Sequence, residues 1–278
     1  MHRLEGTPLN TLSLKQTLRV GGVATGTWVF EFNTPGVARL LASTGVDFVV
    51  LDMEHSGFGI DTVRSLLAQS RGLDLTVLVR PPAAEYHLIA PLLDVGASGV
   101  IVPKVETAKD ASKVAHACRY HPEGGRGAAF SIAHDDFQPG DVAAKIEAAN
   151  RAVVCGLLIE TSLGVENIDA ILNVPGVDLI WVGFLDLSLS LGIPGEYRHP
   201  SFEAAVSCIL KAAESHGTPV GILADTPEAA IERVQQGFRC ISYSGDLWLL
   251  QRALSEGIQA IRLGLKGCKD PKVAARAR

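Results

Sequence analysis

Eight short apolar runs recur along the chain, and most are followed by a longer stretch with helical periodicity. The runs are rich in Val, Ile and Leu without polar alternation, as in parallel strands that are buried on both faces. We predict strands at Val23–Phe30, Phe48–Asp52, Leu75–Arg80, Gly99–Pro103, Val153–Glu160, Leu179–Gly183, Pro219–Leu223 and Cys240–Tyr243. Amphipathic stretches predict helices at Thr62–Ser70, Tyr86–Leu93, Ala108–Arg119, Ser201–Ser215 and Pro227–Gln236.

A strand–helix repeat of this kind favours an α/β fold with a closed (β/α)8 TIM barrel over an open, doubly wound sheet. The length of 278 residues is near the usual size of one such barrel. The glycine-containing segment Gly21–Gly26 lacks the spacing of a dinucleotide-binding loop. We therefore predict a single domain over residues 1–278, with an N-terminal extension of about residues 1–20 and a C-terminal helical tail of about residues 246–278.

Composition and charge argue against several classes of protein. The chain is 47% hydrophobic and 20% charged, which is an ordinary globular balance. Its net charge of −5 gives no basic surface for nucleic acid, and no polybasic stretch indicates a membrane surface. No apolar run is long enough for a membrane span, and the first residues have no signal-peptide core. Together with five widely spaced cysteines, predicted to be mostly buried free thiols, this favours the cytoplasm.

Charged residues directly follow most of the predicted strands, where the active sites of such barrels are built. Glu160 and Asp186 end two adjacent strands without a neighbouring Cys or His, which suits Mg²⁺ or Mn²⁺. Each carboxylate has the alternative of a solvated loop acid or a helix N-cap. Arg80 offers a fork for a carboxylate or enolate oxygen, or else a salt bridge at the rim. His55 is either a general base or a structural histidine.

Taken together, these motifs resemble the HpcH/HpaI aldolase family over about Gly26 to Asp246. Members are metal-dependent, class II, pyruvate-specific aldolases, and their relatives include macrophomate synthase. The motifs that carry the resemblance are Asp52-Met53-Glu54-His55, Val79-Arg80-Pro81, Leu92-Leu93-Asp94-Val95-Gly96, Val102-Pro103-Lys104-Val105-Glu106-Thr107, Gly124-Gly125-Arg126-Gly127, Glu160-Thr161 and Gly183-Phe184-Leu185-Asp186-Leu187-Ser188.

The resemblance implies a metal site and a substrate site. Glu160 and Asp186 match the ligands of one divalent ion, Mg²⁺, Mn²⁺ or Co²⁺. Arg80 matches the arginine that steadies the substrate oxygen as it gains enolate charge. The main-chain amides near Leu185 and Asp186 match those that hold the pyruvyl carboxylate. Lys104 follows a strand and is a conceivable Schiff-base lysine, but the matching family position is not a catalytic lysine.

His55 matches the general base, and Asp94 matches the acid that raises the basicity of that histidine. Asp94 precedes a strand, however, whereas His55 follows one. A five-residue strand spans roughly 16 Å at about 3.3 Å per residue, which is too far for a hydrogen bond. Asp94 is therefore either a turn residue or the partner of His55 in a neighbouring subunit. We favour the second interpretation, and the resemblance implies a homo-oligomer, specifically a hexamer.

The reaction implied is cleavage or formation of 4-hydroxy-2-oxo acids through a pyruvate enolate, with small keto acid and aldehyde substrates. Three residues depart from the family pattern. Leu158 replaces a Gln that reaches the substrate, Met53 replaces a Gly, and Phe184 replaces a Pro. Leu158 removes a hydrogen-bond donor from the substrate-binding set. We therefore expect a substrate preference different from that of the sugar-acid and dicarboxylate aldolases.

Three other functions fit parts of the pattern. Oxaloacetate decarboxylation, or addition of the enolate to another electrophile as in macrophomate synthase, would use the same metal and Arg80. An acyl-CoA lyase should carry a basic cluster for CoA phosphates, and the sequence has no obvious one. A non-catalytic barrel that binds a keto acid would not need both carboxylates, Arg80 and His55.

Overall fold

Eight parallel strands close into a barrel in sequential order in the computed structural model, which describes residues 14–266. The predicted (β/α)8 barrel is confirmed. The ends of the predicted strands lie within two residues of those observed. The strands are β1 (Ala24–Val29), β2 (Phe48–Asp52), β3 (Thr76–Arg80), β4 (Gly99–Val102), β5 (Val154–Ile159), β6 (Leu179–Val182), β7 (Val220–Ala224) and β8 (Cys240–Gly245).

The helices alternate with the strands, and the five predicted ones are all present. The capping residues explain where two of them begin: Thr107 and Asp110 form a capping box before α5, and the Thr226 side chain accepts from Ala229 N before α11. The helices are α1 (Leu14–Arg19), α2 (Val37–Ala42), α3 (Ile60–Ser70), α4 (Tyr86–Asp94), α5 (Ala108–Cys118), α6 (Val142–Ala152), α7 (Ser162–Glu166), α8 (Ile168–Leu172), α9 (Phe184–Ser190), α10 (Pro200–His216), α11 (Pro227–Gln236) and α12 (Asp246–Lys266).

Aromatic rings fill the interior of the barrel. Trp181 on β6 makes edge contacts with Trp28 on β1, at 5.7 Å between ring centroids, and with Phe48 on β2, at 6.2 Å. Gly221 on β7 gives this indole its space, because a Cβ there would lie 2.5 Å from the Trp181 ring. Leu14 of α1 packs in the same interior cluster. The interior is thus a packed core, so a site has to form where the strands end.

The helices α1 and α12 lie at the two ends of the described residues. The predicted N-terminal extension of about residues 1–20 includes α1, whose buried face is Leu14, Thr17 and Leu18, while residues 1–13 lie outside the described residues. The predicted tail of about residues 246–278 begins with α12, and residues 267–278 also lie outside the described part. From residue 253 to residue 264, α12 is exposed.

Within residues 14–266, no helix is both long and apolar enough to cross a membrane. Three of the four cysteines in this range are free and buried (Cys118, Cys155 and Cys240), whereas Cys208 is free and exposed. Cys268 lies outside the described residues.

Candidate active site

A cavity of about 680 Å³ opens at the carboxyl ends of the strands. Its wall combines charged and apolar side chains from almost the whole ring of strands. Every predicted site residue except Asp94 lines it: His55, Arg80, Leu158, Glu160, Leu185 and Asp186. The topology therefore brings together residues that are up to 131 positions apart in the sequence, from His55 to Asp186.

Arg80 is the last residue of β3 and is held by acids on the neighbouring strand. Its Nη2 donates to the carboxylate of Asp52, its register partner at the end of β2. Nη1 lies 3.3 Å from a Glu54 carboxylate oxygen, and the guanidinium sits 4.5 Å from the centroid of the Trp28 ring. Among the described residues, Nε finds no hydrogen-bond partner. The guanidinium is thus held in a fixed orientation by two acids and an aromatic ring, at the wall of the cavity.

Asp52 shapes the turn that carries His55. It is fully buried, and its Oδ1 accepts from the backbone N–H groups of Glu54 at 2.7 Å and of His55 at 3.0 Å. The His55 side chain is 57% exposed and lies 3.7 Å from Glu54 Oε2. The sequence analysis assigned Asp52 no role of its own, although an Asp that ends a strand before a turn is a known signal for such backbone capping. Asp52 therefore positions both Arg80 and His55.

Glu160 follows β5 and is only 3% exposed. Its Oε1 accepts from the backbone N–H of Lys104 at 2.8 Å. Lys104 has a φ of +55°, the left-handed region, and this places its N–H at the carboxylate. Gly183 is needed on the other side, because a Cβ there would lie 2.6 Å from Glu160 Oε2. Lys104 thus contributes its backbone to the site rather than its ammonium group.

The surroundings of Glu160 concentrate negative charge. Burial raises its pKa, the Lys104 N–H opposes this, and the nearby carboxylates of Glu54 and Asp186 raise it further, giving a pKa of about 7. Among residues 14–266 there is no cluster of three or more Asp, Glu, His or Cys side chains that could hold a metal. Two carboxylates that repel each other fit an open divalent site, where water and substrate oxygens supply the other ligands.

Leu185 and Asp186 lie in the first turn of α9, next to Glu160. The amides of a first helical turn have no partner within the helix, and they carry partial positive charge. The first hydrogen bond of the helix runs from the Leu187 N–H to the Gly183 carbonyl at 2.9 Å, so the amides of Leu185 and Asp186 come before it. On the neighbouring strand β5, Leu158 is buried and offers no hydrogen-bonding side chain. The amides are the groups in this part of the site that suit a carboxylate.

Asp246 connects the end of β8 to the loop after β1. Its carboxylate accepts from the backbone N–H groups of Phe30 at 3.0 Å, Glu31 at 3.0 Å and Phe32 at 2.8 Å. These bonds fix a loop whose Phe30 and Glu31 line the cavity. The sequence analysis assigned Asp246 no such role, because the contact joins residues more than two hundred positions apart.

Asp94 is the predicted site residue that the protomer does not bring to the cavity. It ends α4, before β4, whereas His55 follows β2 at the opposite end of the barrel. Its Oδ1 accepts from Arg126 Nη2 at 2.6 Å and from Nε at 3.2 Å. Arg126 is itself stacked 4.6 Å from the centroid of the Tyr120 ring. Within one described protomer, Asp94 is therefore an ion-pair partner of Arg126 and does not touch His55.

The chain belongs to the HpcH/HpaI aldolase/citrate lyase family, whose profile matches residues 25–253. It is 32% identical over 251 residues to a hydroxypyruvate/pyruvate aldolase of Roseobacter denitrificans, covering 87% of this chain and 93% of that protein. An HpcH/HpaI aldolase structure from Desulfitobacterium hafniense superposes with a TM-score of 0.86 and 30% identity, covering 91% of this chain and 97% of that one.

Macrophomate synthase is also similar, with a TM-score of 0.81 and 26% identity, covering 92% of this chain and 91% of that one. The family resemblance inferred from the sequence motifs is confirmed. The prediction of a carbon–carbon lyase is confirmed at the level of the family, because the similar proteins are named aldolases.

Proposed function

We propose that this protein is a class II, divalent-metal-dependent aldolase that cleaves or forms 4-hydroxy-2-oxo acids through a pyruvate enolate. The observation that carries the proposal is the pair of carboxylates, Glu160 and Asp186, placed beside Arg80 in one cavity. A divalent ion is expected there, because it would offset the repulsion between the two acids. The chemistry that such an ion supplies is Lewis-acid stabilisation of negative charge on the 2-oxo oxygen.

Arg80 and the first turn of α9 hold the pyruvyl half of the substrate. The fixed positive charge of Arg80, which lines the cavity, stabilises the 2-oxo oxygen as it becomes an enolate oxygen. The amides of Leu185 and Asp186 donate to the substrate carboxylate. Because Asp52, Glu54 and Trp28 already orient Arg80, little reorganisation is needed as the charge develops.

His55 moves the proton. In the cleavage direction it removes the proton of the C4 hydroxyl, the C3–C4 bond breaks to release the aldehyde, and the electron pair remains on the pyruvate enolate. Protonation at C3 then gives pyruvate. A carboxylate beside an imidazole raises its basicity, and Asp94 of a neighbouring subunit would supply one. This requires a homo-oligomer, which we propose to be a hexamer in the cytoplasm.

The test is pyruvate release from 4-hydroxy-2-oxo acids of different length and charge, measured with metal-stripped protein. Excess EDTA should abolish turnover, and Mg²⁺, Mn²⁺ or Co²⁺ should restore it. Oxaloacetate serves as a parallel substrate, because its decarboxylation gives the same enolate without an aldehyde. Full aldol activity in excess EDTA would overturn the metal-dependent mechanism. Turnover of oxaloacetate alone would replace the aldolase with a decarboxylase.

A further inference from the structure

Three aromatic rings form a continuous wall on one side of the cavity. Trp28 at the end of β1 stacks on Phe30 at 5.8 Å between centroids, and Phe30 packs on Trp248 of α12 at 5.0 Å. We call these three rings the aromatic wall. Four leucines also line the cavity: Leu158, Leu185, Leu223 and Leu247. Most of the exposed cavity surface is accordingly apolar.

The aromatic wall is built into the backbone rather than into a loose loop. Asp246 accepts three N–H groups from the segment that carries Phe30, and its Oδ1 also accepts from Leu247 N at 2.8 Å. Gly245 gives the rings room, because a Cβ there would lie 2.8 Å from the Trp248 ring and 3.0 Å from the Phe30 ring. The wall is therefore preformed, which lowers the entropic cost of binding an apolar group.

The charges around the cavity disfavour a second carboxylate on the substrate. Glu31 and Asp225 line its outer part. Of the cationic side chains in the described lining, Arg80 is held by acids at the reacting end. Arg252 already donates to the Tyr243 hydroxyl at 3.0 Å and to the Asp225 carbonyl at 2.7 Å. A carboxylate at the far end of a substrate would meet two acids and an arginine that is already engaged.

We propose that the acceptor half of the substrate, beyond the reacting carbons, is neutral and hydrophobic: an aryl or branched alkyl group that lies on the aromatic wall. This inference rests on the proposed aldolase function, since it specifies the aldehyde that the same site takes. An apolar group would cover Trp248, which is 39% exposed in the protomer, and Phe30. Leu158 suits such a group, because its side chain has no donor or acceptor that an apolar substrate would leave unpaired.

The experiment compares two isosteric substrates, 4-hydroxy-7-methyl-2-oxooctanoate and 4-hydroxy-2-oxoheptanedioate, which end in an isopropyl group and a carboxylate. We expect kcat/KM to favour the neutral substrate by about tenfold or more, as for a hydrophobic pocket that gains one or two carbon groups. Trp248→Ala should lower this ratio by about tenfold. Trp248→Phe should retain most of it. Leu250→Ala, on the same helix but outside the cavity lining, is the matched control and should leave the ratio unchanged.

Equilibrium binding separates this inference from the aldolase proposal. The Mn²⁺-loaded protein is titrated with 2-oxo-4-phenylbutanoate and with 2-oxoheptanedioate, neither of which has a C4 hydroxyl group to cleave. Tighter binding of the phenyl compound, lost in Trp248→Ala, supports the aromatic wall even if no aldol substrate turns over. Equal or tighter binding of the dicarboxylate, or a kcat/KM ratio at or below one, overturns it. If Arg252→Met then abolished dicarboxylate binding, Arg252 would be the carboxylate site instead.

Discussion

Substitutions of Arg80 can distinguish its role in stabilising the enolate from its role as the ion-pair partner of Asp52. In Arg80→Lys a charge remains near Asp52, but a single ammonium cannot contact Asp52, Glu54 and a substrate oxygen in the fixed directions of the guanidinium. Loss of a preorganised donor to a developing oxyanion lowers kcat by about 10² to 10³. We expect that loss in both aldol cleavage and exchange of the pyruvate C3 protons, because both pass through the enolate.

The unfolding free energy provides the structural half of the test. Arg80→Met would leave Asp52 buried and facing no cation, although two backbone N–H groups still bind it. Removing one partner of a buried ion pair costs about 3 to 5 kcal/mol, and the two backbone bonds should bring the loss toward the lower end. Arg80→Lys should lose much less unfolding free energy, as measured by urea denaturation. An Arg80→Lys enzyme that kept C3 exchange within about threefold of the parent would refute the enolate role.

Three further changes test other parts of the site. His55→Ala should lower aldol cleavage by about 10² to 10⁴ while largely sparing oxaloacetate decarboxylation, which needs no C4 hydroxyl deprotonation; equal losses in both assays would remove the base assignment. Asp94→Asn should lower aldol cleavage with a change in its pH profile if Asp94 serves His55 across subunits, and an unchanged profile in the intact oligomer would leave Asp94 as the partner of Arg126 alone. Lys104→Gly should raise the unfolding free energy by about 1 kcal/mol, because it removes a lysine in the left-handed region. Treatment of the parent protein with pyruvate and borohydride should leave its mass unchanged, whereas a pyruvate adduct on Lys104 would establish a Schiff base.

Much of the barrel was predictable because its strands are uninterrupted apolar runs, and a short run of this kind has few structural interpretations other than a buried strand. The sequence also predicted the site residues Glu160, Asp186, Arg80 and His55, because the carboxyl ends of parallel barrel strands lie on one face. Short helices such as α7 and α8 were missed, since five residues give little periodicity.

The contacts that hold these site residues in place were harder to predict from the sequence than the site residues themselves. Asp52 acts through a register partner on the next strand, Lys104 through a left-handed backbone, and Asp246 through a loop more than two hundred residues away. Each depends on a tertiary arrangement that no local pattern encodes. The relation of Asp94 to His55 depends further on how protomers assemble.

The most direct test of the central claim is the stoichiometry and affinity of Mn²⁺ binding, measured by calorimetry on the metal-stripped protein. The account predicts one ion per chain, with binding lost in the Glu160→Gln/Asp186→Asn double variant and retained in Glu166→Gln, an acid on α7 outside the cavity lining. Circular dichroism of the double variant should show an intact barrel. Unchanged stoichiometry and affinity in the folded double variant would contradict the assignment of Glu160 and Asp186 as the metal ligands.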